Sequence, residues 1–215
     1  MPHPGVKAIA ADLQRIFGAR LQSVVSYGDA RDGDGVHTLA LVERFGFQDL
    51  AACAPRMPDW HKAGAAAPLL LTRDEFLRTL DVFPLEYGGI IANHQLVYGD
   101  DVLAGLRVNE ADFRRGCELQ AKSHLIHLRE GYLECGGNPK AVAGLIAASA
   151  PALSSLLANL RQLDDGVAER AGFSDGFVRE IAGAADATIA DPSPLLARYL
   201  TAVERLWQEV DRWRA

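Results

Sequence analysis

Apolar residues recur with helical spacing at the start of the chain. Across residues 6–18, Ile9, Leu13, Ile16 and Phe17 fall at intervals that predict an amphipathic helix. Two short runs follow, LQSVVSYG at 21–28 and VHTLALV at 36–42. Both are rich in β-branched and aromatic residues and predict strands. The second is nearly continuous in its apolar residues, as in a strand buried on both faces. Residues 29–35 between them are polar and broken by glycine, so the two strands are expected to form a hairpin. Residues 47–64 read as helix interrupted at Pro55 and Pro58. PLLLT at 68–72 reads as a third strand. Thr72, with Glu75 three residues on, forms a capping box for a helix over TRDEFLRTL. One more short strand is expected around 95–98.

Near residue 108 the pattern changes. Strand-like runs stop, and Ala and Leu dominate. A helix opens at Asn109, carries Asp112 in its first turn and stops at Gly136 and Gly137. Further helices are expected over 138–163, 174–187 and 193–213, with Pro139 and Pro194 near helix starts. The last spaces Leu196, Leu200, Val203, Leu206, Val210 and Trp213 along one stripe. The expected fold class is α+β: a small mixed-sheet domain at 1–108, followed at 109–215 by a bundle of about four helices.

Composition narrows the classes. The chain has 215 residues, 49% of them hydrophobic, enough for a packed core in each half. A net charge of −6 argues against general nucleic-acid binding, which draws on a basic face. No apolar run reaches the roughly 20 residues of a bilayer span, and the N-terminus lacks a signal-peptide pattern. A cytoplasmic protein without membrane association is therefore expected. Cys53, Cys117 and Cys135 are odd in number and widely spaced, as expected of reduced, buried thiols.

The loop at 29–35 holds the densest candidate chemistry, with Asp29, Asp32 and Asp34 in six positions. A calcium loop would need an acid at position 30 and a glutamate at 41, which are Ala30 and Leu41. His124 and His127 share a helical face with Glu118 and Glu130 nearby. No histidine follows them, and the next helix is nearly free of acids, so they are expected to be packed or exposed rather than metal ligands. Ser23 and Ser26 lack a G-x-S-x-G elbow. Glu86 and Glu118 are candidate general bases.

Helix, strand ending in SVVSYG, loop, strand, helices, PLLLT, capped helix, LVYGDD: this order resembles the nucleotidyltransferase-fold domains of the minimal and aminoglycoside-type nucleotidyltransferases. In that family a Gly-Ser pair ends the first strand and an Ala-Arg-Gly element follows. An Asp-x-Asp pair lies on the next strand and a third carboxylate on a later one. The glycine allows close approach to the triphosphate. The carboxylates hold two divalent cations that activate the attacking hydroxyl and steady the leaving pyrophosphate.

Carried over residue by residue, the resemblance implies a nucleotide-binding remnant at Gly28, Asp29 and Arg31. Asp29 stands where the serine belongs, and Asp32 follows Ala30 and Arg31 where glycine belongs. The Asp-x-Asp pair falls on Gly35 and His37, and APLLLT carries no acid. The chain is therefore expected to be a catalytically degenerate relative that binds a ligand or partner, with no cofactor. A small molecule or nucleotide between the two domains, and a homodimer through the helical half, are the expected partners. Two alternatives stay open. One is an active enzyme whose displaced carboxylates, Asp32 and Asp34, hold Mg2+. The other is an unrelated interaction domain.

Overall fold

A computed structural model describes residues 3–28, 36–186 and 190–213. Contacts divide the chain into two compact units, Met1–Asn109 and Glu110–Ala215.

The first unit opens with α1 (Pro4–Phe17), whose first turn is capped by His3: Gly5 N–H donates to its Nδ1 at 3.2 Å. Strands β1 (Leu21–Tyr27) and β2 (His37–Val42) follow. The segment after β2 forms α2 (Phe47–Cys53), a 3-10 turn containing Pro55, and α3 (Met57–Lys62). Pro55 lacks an N–H for an α-helical bond, which accounts for the break expected there. Then come β3 (Leu69–Thr72), α4 (Arg73–Arg78), α5 (Pro84–Ala92) and β4 (His94–Gly99). Both halves of the Thr72–Glu75 capping box are formed.

The four strands lie in the order β3-β2-β1-β4. β1 runs antiparallel to β2 and β4, while β2 and β3 are parallel, so the sheet is mixed. Tyr27 pairs with His37, so β1 and β2 are adjacent antiparallel strands as expected of a hairpin; its loop lies outside the described residues. Helices cover both faces. Val24, Ala40 and Val42 pack under Ile9, Leu13 and Trp60. Val25, Leu39 and Leu41 pack against Phe76, Tyr87 and Ile90. This double burial explains why β2 is apolar at consecutive positions. Trp60 is anchored by its indole N–H, which donates to the buried Asp12 carboxylate at 2.9 Å.

Two helices were not expected from the sequence. α5 starts at Pro84 and is apolar nearly all round with two glycines inside, so it shows no polar face to read. α8 (Val167–Ala171) is five residues long, too short for a period to register.

The second unit contains α6 (Glu110–Glu134), α7 (Pro139–Arg161), α8, α9 (Asp175–Ala182) and α10 (Ser193–Arg212). Five helices are thus described rather than about four. The helix expected over 174–187 stops at Ala182, where Gly183 follows. α6 packs on α7 and α10, α7 on α9, and α10 on α8. α7 also corrects an expectation: it is long and apolar enough, by length and composition, to cross a membrane. Its Val142, Ile146, Leu153, Leu156, Leu157 and Leu160 are buried in this unit.

Candidate functional site

Of the residues that carry the resemblance, Gly28 and His37 are described, where β1 ends and β2 begins. Gly28 follows β1 with φ +77°, a left-handed conformation that glycine adopts without strain. A Cβ there would already touch the His37 ring at 3.4 Å. Tyr27 is the cross-strand partner of both His37 on β2 and His94 on β4. Cross-strand partners share a face, so the three side chains make one row of positions across the end of the sheet. The Tyr27 and His37 rings stack with centroids 5.6 Å apart.

Each end of the row is fixed differently. His94 turns Nδ1 to the Ile91 carbonyl at 2.9 Å and Nε2 to Asp101 Oδ1 at 3.0 Å. Both ring nitrogens therefore face acceptors. Asp101 Oδ1 also accepts the backbone N–H groups of Leu103 and Ala104, which folds the turn after β4 against His94. Burial, then the negative charge of Glu86, raise the Tyr27 pKa. Glu86 lies in the first turn of α5. The next residue, Tyr87, is buried between Phe76 and Phe83, at centroid distances of 4.5 and 5.5 Å.

Asp29, Arg31, Asp32, Asp34 and Gly35 lie outside the described residues. His37 is described, and it offers a stacked imidazole where the resemblance needs a carboxylate. β3, next to β2, presents Leu69 and Leu71 to the same core as Leu39 and Leu41. Two hard cations need several oxygen donors. The described residues do not fit them: none of their His, Cys, Asp and Glu side chains form a group of three that could hold a metal.

The other candidates separate. Ser23 and Ser26 are buried within β1. Glu118 pairs with Arg114 at 2.9 Å. His127 is exposed, whereas His124 is buried, and its Nε2 lies 2.6 Å from the Tyr199 hydroxyl. That hydroxyl lies 3.1 Å from Ser149 Oγ, which itself donates to the Ile146 carbonyl at 2.7 Å. Ser149 has spent its proton on the carbonyl, so Tyr199 donates to Ser149 and His124 Nε2–H donates to Tyr199. This relay joins α6, α7 and α10 inside the core. Of these three residues the sequence singled out only His124 as candidate chemistry, because the partners lie on separate helices far apart in the chain. A surface depression of about 320 Å³ in the same unit, lined by Arg161, Asp165, Glu169 and Asp175 among others, contains no residue singled out from the sequence.

The thiols are unpaired: Cys53 and Cys117 are buried and Cys135 is half-buried. Burial pushes the Cys117 thiol up to about 12 and raises that of Cys53. Brief alkylation of the native protein is expected to label Cys135 alone, with Cys53 and Cys117 reacting only after denaturation. Peptide mapping that finds Cys117 labelled at the same rate would contradict this packing.

No protein-family model matches the chain, and no curated protein matches it in sequence. Among solved structures it is similar to spectinomycin adenyltransferase AAD(9) from Enterococcus faecialis, crystallised with ATP and spectinomycin. The TM-score is 0.52 at 9% identity, over 99% of this chain and 100% of that one. The fold is nucleotidyltransferase-like. That likeness spans both units, so the nucleotidyltransferase-like fold includes the helical half as well as the sheet. At 9% identity it carries the fold and not the chemistry.

Proposed function

We propose that this chain is a catalytically degenerate nucleotidyltransferase-like protein that binds a small molecule, a nucleotide among the candidates, without transferring a nucleotidyl group. The observation that supports this reading is the row His37–Tyr27–His94. His37, in this row, stands at one of the two positions where the resemblance would put the Asp-x-Asp carboxylates. Imidazole and phenol rings favour stacking on a planar ligand over chelating a phosphate-bound cation. Gly28, with Asp29 and Arg31 after it, is the remnant of the phosphate-binding turn.

The structural neighbour was crystallised with ATP, so ATP is the probe. Calorimetry with and without Mg2+ is expected to give the same affinity, weakened about tenfold or more in Tyr27→Ala. Incubation with labelled ATP, Mg2+ and hydroxyl acceptors is expected to release no pyrophosphate. Metal-dependent pyrophosphate release, lost in Asp32→Ala/Asp34→Ala, would overturn the proposal and establish an active enzyme with displaced ligands. Absence of ATP binding at either metal concentration would leave protein-partner binding as the reading of this fold.

A further inference from the structure

The outer face of α6 carries an aliphatic stripe that the fold does not use. Leu119, Ile126 and Leu133 are 69%, 41% and 76% exposed. They are seven residues apart, so they line up along the helix with a drift of only about 20° per step. The buried residues of the same helix, Phe113, Cys117, Ala121, Leu125 and Leu128 among them, lie on the opposite side. The stripe is therefore a second apolar face on a helix that already has its core face.

The two flanks of the stripe differ in charge. Lys122 and Arg129, each three residues after a stripe residue, lie on the side of α10: Lys122 Nζ sits 3.6 Å over the Trp207 ring, and Arg129 pairs with Glu204 at 3.3 Å. Ser123 and Glu130, each four residues after a stripe residue, lie on the other side. Even with Glu204 beside Arg129, one flank is net basic and the other neutral to acidic.

We propose that α6 pairs in parallel with α6 of a second copy of this chain, Ile126 against Ile126 on a two-fold axis. In a parallel helix pair, opposite flanks meet across the seam. Arg129 then faces Glu130 of the partner, and by symmetry Glu130 faces the partner's Arg129. An antiparallel pair would bring the basic flanks of Lys122 and Arg129 against each other, so charge selects the parallel arrangement. The face complements itself, which singles out a second copy as its occupant. This proposal does not depend on what the sheet unit binds.

Sedimentation equilibrium of the full chain is the test. Wild type is expected to associate reversibly between micromolar and millimolar concentration, and Ile126→Glu to remain monomeric. Arg129→Glu and Glu130→Arg should each raise the dimer dissociation constant about tenfold or more, because each places like charges across the seam twice. Mixing these two variants in equal amounts should restore association, since opposite charges again meet in the heterodimer. Circular dichroism confirms that each variant keeps its helices, as expected for exposed positions. Monomeric wild type throughout, association indifferent to all three substitutions, or failure of the mixture to recover would each overturn the proposal.

Discussion

Gly99→Ala is expected to destabilise the sheet unit by about 4 kcal/mol. Gly99 ends β4 with φ +77° and pairs with Ser23 of β1. A Cβ there would overlap the Gln22 carbonyl oxygen and lie 2.9 Å from its carbon. Both are backbone atoms, so no rotamer change relieves the overlap. That same oxygen accepts from Asp100 N–H at 3.3 Å, so moving it aside costs a hydrogen bond as well. β4 is an edge strand whose neighbour in the sheet is β1, and peeling away would pull Val97 and Tyr98 from the core of Ile9, Leu13 and Trp60. Gly105→Ala is the control. It has the same φ of +77° and nothing within 4 Å of the added carbon. Only the left-handed backbone is penalised there, at about 1 kcal/mol. Urea unfolding followed by far-ultraviolet circular dichroism separates the two. Equal midpoints for the variants would mean that the contact with Gln22 is not made.

What could be read from the sequence was local or periodic. β2 showed itself as an unbroken apolar run because helices cover both of its faces, and Thr72 with Glu75 announced α4 through a four-residue motif. α5 gave no such signal, since Pro84 to Ala92 is apolar nearly all round and two glycines blur its period. The row over the sheet end was half legible. Alignment on the apolar run of β2 singled out His37, but its relation to His94 depends on the register of β4 against β1. A bulge shifts that register between Val24 and Val25, and pairing between strands distant in the chain sets it. Asp101 was visible in LVYGDD, yet only the turn after β4 brings it to His94. The α6 stripe illustrates a different limit. Leu119 and Leu125 are the same residue type six positions apart on one helix, and periodicity alone does not say which of two apolar faces meets the bundle.

Acidification from neutral pH is expected to destabilise the helical unit while exposed carboxylates are still largely ionised. Burial, aided by the neighbouring His127, lowers the pKa of His124 to about 4. In the unfolded chain it has its ordinary value of about 6.5. Above about pH 6.5 the ring is neutral in both states, and the His124–Tyr199–Ser149 relay contributes fully. Between about 6.5 and 4 the unfolded chain takes up a proton that the folded one refuses, so stability falls as pH falls. The loss levels off below about 4 and amounts to at most about 3 kcal/mol. The Tyr199 hydroxyl, itself pushed up to about 12 chiefly by burial, stays neutral throughout this window and cannot compensate the charge. Tyr199→Phe removes the oxygen that accepts from His124 and donates to Ser149. It is expected to cost about 1–3 kcal/mol at neutral pH, because it strands a buried N–H. His124→Gln keeps a side-chain N–H donor but does not titrate. Its stability should start below wild type at pH 7 and change less with acid, so the gap between them narrows towards about pH 4.5. Thermal unfolding of both proteins across that range, followed by circular dichroism, measures the gap. A gap that stays constant would show that the acid sensitivity of the bundle arises elsewhere than at His124.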